Sequence, residues 1–326
     1  MTENKVCRYF LGANTKDGFR SLYEDFIRYH DDCFLWCIKG GPGNGKSSFM
    51  RRIGRAAEEL GLAVEYILCS GDPDSLDGIY IPALSVIYAD ATSPHVLEPP
   101  LPGVNGRYLD LSAAYKREAA LTGQKERIAS LFFSYRAAYE RAYSLLRGIS
   151  HFPENASVGL LREKAEELFA SVPISTAPYR EERRFLSVLT SRGFLRMEDC
   201  ISSAHQIIRL ENTDGLAPLL LEELRSLAET RCARALLFSD PVAPEFLEGL
   251  YLPDAGVAFL AGERRFDPAR DSLLRKAAAE LARAKTLHDE LESVYRPFLD
   301  TVFLDRLAEE HISALFPNGA EQGGII

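Results

Sequence analysis

A strand-length apolar run, Phe34 to Ile38, leads through Lys39 into Gly40-Gly41-Pro42-Gly43-Asn44-Gly45-Lys46-Ser47-Ser48. Beyond it, Phe49, Ile53, Ala57 and Leu60 recur at helical spacing, and Gly61 supplies the stop. The pattern GxxxxGK[ST] is met by Gly40, Gly45, Lys46 and Ser47, in the strand, loop, helix order that gives it a meaning. Glycines let successive backbone N–H groups turn toward one point without Cβ obstruction, and the helix that follows aims its positive end at the same point. A phosphate group is the ligand such a turn suits. Residues 40–48 are therefore the expected phosphate-binding segment, with Lys46 reaching the β- and γ-phosphates and Ser47 a Mg²⁺ ion. The plainer alternative is a glycine-rich turn that binds nothing.

A phosphate loop of this kind needs a carboxylate on a neighbouring parallel strand to hold the metal. Leu84 to Ala89 is an apolar run ending in Asp90, which is the expected second metal ligand with Ser47; strands also end in Asp simply as a turn residue. Ala91 stands where many ATP-hydrolysing motors place a water-activating Glu, so a general base has to come from elsewhere. Ala63 to Leu68 reads as an intervening strand, followed by Asp72, Asp74 and Asp77. At the carboxyl edge of a doubly wound sheet these acids fall near the γ-phosphate. Asp74 and Asp77 are accordingly candidate catalytic residues beside Lys46 and Asp90, with turn formation as the alternative for each. His95 is a further titratable group on that edge, more simply read as a loop histidine.

The chain repeats itself. Residues 8–19 align with 183–194 at an offset of 175, sharing Arg, Phe, Leu, Thr, Gly and Phe, and Leu76-Asp77-Gly78-Ile79-Tyr80-Ile81-Pro82 aligns with Leu247-Glu248-Gly249-Leu250-Tyr251-Leu252-Pro253 at 171. At 171, Gly40, Gly45, Lys46, Ser47 and Asp90 fall on Glu211, Leu216, Ala217, Pro218 and Ala261. The second copy is expected to keep its fold and to have lost its phosphate-binding residues. Lys116–Arg147 and Leu273–Glu310 are rich in helix formers and read as helical appendages. Most of their charges read as a solvated face, with Arg136 as a candidate to point at the nucleotide. The expected organisation is an active domain over 1–155, a helix and linker over 156–178 (Pro173 to Pro178 has linker composition), and a degenerate copy over 179–326. The fold class is α/β, as tandem P-loop NTPase-like domains with mainly parallel sheets and long helical appendages.

Hydrophobic residues at 46% and charged residues at 26% exclude extended disorder, and a net charge of −9 argues against a nucleic-acid-coating surface. No stretch reaches the roughly 18 apolar residues of a membrane span and no signal-like start is present, so a cytoplasmic location without membrane partner is expected. Six cysteines are too sparse for a disulfide scaffold; Cys33 and Cys37 read as buried free thiols on one strand face.

GANTKDGF, IKGGPGNGKSS, CSGDPDSLDG and ADATSPH resemble segments of a family of uncharacterised bacterial P-loop ATPases with two tandem nucleotide-binding-like domains. With the second copy the resemblance covers nearly the whole chain, which departs from the family in lacking a second glycine-rich loop. The resemblance implies ATP binding. Three functions remain open at this point: a Mg²⁺-dependent ATPase coupling hydrolysis to a conformational switch, a small-molecule or nucleotide kinase, and a non-catalytic ATP-sensing regulator. The partner besides ATP, a macromolecule or a small phosphoryl acceptor, is not named by the residues.

Overall fold

The structure is a computed structural model that describes residues 6–116, 118–149 and 158–317. Strand β1 (Val6–Phe10) is followed by a hairpin, β2 (Gly12–Thr15) and β3 (Gly18–Ser21), then helix α1 (Tyr23–Tyr29) and β4 (Phe34–Lys39). Helix α2 (Lys46–Glu59) leads to β5 (Val64–Leu68), β6 (Leu76–Ile81), β7 (Val86–Asp90) and β8 (Gly106–Asp110). After the short α3 (Glu118–Thr122) come the long α4 (Lys125–Arg147) and α5 (Val158–Phe169). The pattern then recurs: β9 (Arg180–Arg184), hairpin β10 (Ser187–Thr190) and β11 (Gly193–Arg196), β12 (Gln206–Leu210), α6 (Ala217–Arg231), β13 (Arg234–Ser239), β14 (Leu247–Leu252) and β15 (Val257–Ala261). Helices α7 (Pro268–Tyr295) and α8 (Thr301–Leu315) end the described chain. The helical appendage expected over 273–310 is two helices, divided at Arg296–Phe298, where Pro297 cannot donate an N–H to the helix.

The class is α/β, and the two sheets share one topology. The first runs β1-β5-β6-β7-β4-β8, the second β9-β13-β14-β15-β12. Both sheets are mixed where mainly parallel ones were expected, because β6 and β14 run against both neighbours. The cause is loop length. A parallel crossover takes a dozen residues or more, whereas residues 69–75 and 82–85 are all that flank β6, and residues 240–246 and 253–256 all that flank β14. Register is reproduced as well: Gly78 lies opposite Ala89 and Gly249 opposite Leu260, with an irregularity after Ile67 in one sheet and after Phe238 in the other. Cys33 and Cys37 are buried free thiols, and burial pushes each up to about 11. Among the described residues no helix is long and apolar enough to cross a membrane.

The expected division at residue 155 falls in 150–157, outside the described residues, and the flanking halves pack intimately. Phe10 and Phe185, counterparts in the repeat, exchange both backbone hydrogen bonds (3.4 and 2.9 Å). Asn14 Nδ2 donates to the carbonyl of its own counterpart, Leu189 (3.2 Å). The β2–β3 turn reaches the other half through Lys16 and Glu245 (2.8 Å), and the β10–β11 turn answers through Arg192 and Asp74 (3.1 Å). Such self-complementary contacts are those of a two-fold dimer built within one chain. Behind them Arg184, nearly fully buried, bonds Glu182 (2.5 Å) and Glu65 (3.0 Å) and lies 3.8 Å over the Tyr9 ring. Phe185 is wholly buried in the first half's core. Replacing it with Ala should cost about 3–5 kcal/mol, and urea denaturation followed by fluorescence and by circular dichroism should report one shared transition. Two separate transitions in the parent chain would show that the halves fold independently.

Candidate functional site

The loop at residues 40–45 joins the end of β4 to α2. Gly43 and Gly45 hold φ of +70° and +79°, the left-handed region that glycine tolerates, so the turn is tight. The first turn of α2 has no side-chain cap and no acidic residue, which leaves its positive end open. Asn44 is buried and donates Nδ2 to the Leu111 carbonyl (3.1 Å), pinning the loop to the segment after β8. Lys46 Nζ donates to the carbonyls of Gly40 (2.9 Å) and Gly41 (3.0 Å) and lies 3.6 Å from Asp90 Oδ2. Asp90 ends β7, directly beside β4 with Ile38 as its register partner. Its other oxygen accepts from the Thr92 N–H (2.9 Å) and hydroxyl (2.5 Å). Ser47 Oγ accepts from the Leu76 N–H (2.9 Å), while Ser48 is exposed and Pro42 is half-buried.

The loop acids separate. Asp77 lies on β6, buried, with Oδ2 3.1 Å from His95 Nε2. His95 is itself buried between the rings of Phe19 (4.7 Å) and Tyr23 (5.3 Å). Burial opposes its charge, but the Asp77 carboxylate, aided by Asp90 and opposed by Lys46, holds the imidazole above its ordinary range. Asp74 points the other way: its carboxylate is exposed and pairs with Arg192 across the two-fold contact, mirroring Glu245 with Lys16. Asp72 pairs with Lys285 of α7 (3.3 Å). Arg136 does not face the loop; it is exposed on α4 over the ring of Phe132 (5.6 Å).

What covers the loop comes from the far end of the chain. Glu292 of α7 accepts from the Gly43 N–H through Oε1 (3.2 Å), so a carboxylate stands on one of the loop's amides. His288 lies one turn earlier, 3.7 Å from that carboxylate, its imidazole pushed down by burial, with Lys46 and Lys285 adding to the effect. Tyr115 closes over Gly41, where an added Cβ would sit 2.7 Å from the hydroxyl, and Leu304 of α8 packs on Gly45. Lys116 and Asp300 clamp this roof by a backbone bond from Lys116 to Phe298 (2.7 Å) and a side-chain pair (2.6 Å). No motif marks these residues, since a Glu two hundred and forty-nine positions away reads as one more charge on a helix.

The second half differs at the same place. Asn212 Oδ1 accepts from Ala217 N–H at the start of α6 (3.2 Å) while its amide donates to Gly262 (3.0 Å), and Pro218 removes the next donor. That helix end is satisfied by its own chain. Comparisons with protein-family models, curated proteins and solved structures give no match.

The raised imidazole gives a pH signature. The stability His95 adds by pairing with Asp77 is fully present below its unfolded value near 6.5 and is lost as pH rises through the elevated folded value. His95→Gln should therefore cost most in urea melts near pH 6 and progressively less toward about pH 9. A gap that grows with pH would mean the ring is held neutral.

Proposed function

We propose that the chain is a Mg²⁺-dependent P-loop ATPase that binds ATP on the turn between β4 and α2 and couples its turnover to movement of α7. The observation that carries this reading is the unsatisfied positive end of α2 with Lys46 and Asp90 beside it, set against the self-capped start of α6. On binding, Lys46 exchanges the Gly40 and Gly41 carbonyls for phosphate oxygens and stabilises charge on the transferred group. Ser47 and Asp90 are the residues that would hold Mg²⁺: Asp90 keeps Oδ2 toward the loop while Thr92 fixes Oδ1, and the Ser47 hydroxyl accepts one bond and retains a lone pair. The metal supplies neutralisation of phosphate charge. Asp77, inward and braced by His95, takes the proton-accepting role in this reading; Asp74, in the contact between halves, takes none.

Glu292 gives the coupling its physical basis. A carboxylate on the Gly43 amide competes with phosphate for the same donor, so ATP has to displace Glu292 and with it the end of α7. The same contact favours, as a second reading, an ATP-sensing regulator without turnover. Release of phosphate in the absence of any acceptor separates the two.

ATP with Mg²⁺ should raise the melting temperature, a stabilisation of about 2.7 kcal/mol at a hundredfold excess over Kd, and Lys46→Ala should remove most of it. Glu292→Ala should tighten ATP binding by about tenfold, the scale of one charge-assisted bond discounted for partial exposure. An unchanged shift in Lys46→Ala would remove the nucleotide from this loop, and weaker binding in Glu292→Ala would remove the competition.

Turnover measured beside ATP affinity tests the acids. Asp77→Asn should bind ATP with near-parent affinity and lose turnover by roughly 10² or more, while Asp74→Asn keeps its rate. The reverse ranking would move the base to the loop tip.

A further inference from the structure

The first strand of each half packs on the element that follows the other half's hairpin. β9 lies against α1, and β1 lies against the short turn at Asp199–Ile201. The offset of 175 puts Cys7 at the position of Glu182. Glu182 lies 3.7 Å from His30 at the end of α1, and in the equivalent contact Cys7 Sγ lies 3.4 Å from Cys200 Sγ. One contact thus ends in a carboxylate and an imidazole, the other in two thiols. Both thiols are free and half-buried. The segments that carry them are fastened to each other: the Arg8 N–H donates to Asp199 Oδ2 (3.1 Å), and the Arg8 guanidinium pairs with the same oxygen (3.2 Å).

Two buried thiols ordinarily pack as small apolar groups, and reactivity requires a neighbour that favours the thiolate. Arg184 divides its nitrogens here: Nε goes to Glu182 (2.5 Å), Nη2 to Glu65 (3.0 Å) and Nη1 to Cys200 Sγ (3.4 Å). Its charge is already matched by the two carboxylates, so Cys200 draws on directed hydrogen bonds and not on spare positive charge. The Cys7 thiol, and after it Arg184, hold Cys200 below its ordinary value against burial and Glu65. Cys7 is pushed up by the hydrogen bond to Cys200 and by burial. The two sulfurs therefore differ in role, Cys200 as the attacking one and Cys7 as the resolving one.

We infer that Cys7 and Cys200 form an oxidation site, at which a hydroperoxide converts the two thiols into a disulfide that ties the halves together. The Cys200 thiolate attacks one oxygen of hydrogen peroxide, the O–O bond breaks, and the departing hydroxide takes a proton to become water. Cys7 then attacks the sulfenic sulfur of Cys200; the S–S bond forms, the S–O bond breaks, and the hydroxide leaves as water with the Cys7 proton. Two thiols give up two electrons and the peroxide accepts both. Closure brings the sulfurs from 3.4 Å to about 2.05 Å. The link joins residues 193 positions apart, a long loop whose closure restricts the unfolded chain strongly. The site does not rest on the ATP reading at Lys46.

The test uses the full chain, reduced and then exposed to a small excess of hydrogen peroxide. Thiols are counted after denaturation, and the link is mapped by mass spectrometry of a non-reduced digest, which needs no variant to fold. The count should fall by two from six, with Cys7 joined to Cys200, and dithiothreitol should restore it. The melting temperature should rise by about 5 °C on oxidation and return on reduction. Cys200→Ser should keep its remaining thiols and show no rise, whereas Cys232→Ser, altered in the second half's core, should still lose two. A chain that keeps all six thiols, a link between other cysteines, oxidation that dithiothreitol does not reverse, a mapped link without a rise in melting temperature, or thiol loss unchanged in Cys200→Ser would each overturn the inference.

Discussion

The reciprocal pairing of Phe10 with Phe185 sets the relation of everything else in the molecule. Two counterparts that bond each other lie on the approximate two-fold axis between the repeats, and the two hairpin turns reach across it in the same way, Lys16 to Glu245 and Arg192 to Asp74. The buried ion cluster of Arg184, Glu182 and Glu65 lies beside this axis. Taking three charges out of water costs several kcal/mol before their mutual attraction returns any, so such a cluster fixes geometry better than it adds stability. Its value here is register: the guanidinium reaches both carboxylates and the Tyr9 ring only in one docking of β9 against β1 and β5.

Symmetric packing with asymmetric helix ends is what divides the halves. Each sheet delivers a helix N-terminus to its carboxyl edge, and each of those ends has amides to satisfy. In the second half Asn212 folds back to do it locally. In the first, no side chain of the loop caps α2, and a carboxylate from α7 stands on the Gly43 amide. A local cap is part of the fold and stays. A carboxylate on a separate helix is exchangeable, because a phosphate offers the same amide a stronger acceptor.

Local features were legible in the sequence to the extent that their causes are local. The β4-loop-α2 unit is read from a strand run, glycines and a helical stripe, and Asp90 from the apolar run before it; all lie within sixty residues of one another. The direction of β6 was also within reach, since residues 69–75 are too few for a crossover, yet the doubly wound template suggested a parallel neighbour. Asp72, Asp74 and Asp77 were inseparable by spacing, because what distinguishes them is a partner: Lys285, Arg192 and His95. Glu292 was out of reach altogether. Nothing in α7's composition says that its last turns lie over a loop encoded near the start of the chain, a fact that depends on the two-fold packing of α4 on α7 and on the bend at Pro297.

That same helix joins the two sheet edges. Arg270 is in the first turn of α7 and Glu292 in its last, about 33 Å apart at 1.5 Å per residue. Between them α7 packs along α4 through Leu274, Ala277 and Leu281, small and branched side chains that interdigitate with Ala142 and Leu146. An interface of this kind has discrete arrangements and resists continuous sliding. Glu292 therefore reaches the Gly43 amide only from one seating of the whole helix. The helix that starts at the edge of the second sheet thus carries, in its last turn, the carboxylate that stands on the Gly43 amide of the first.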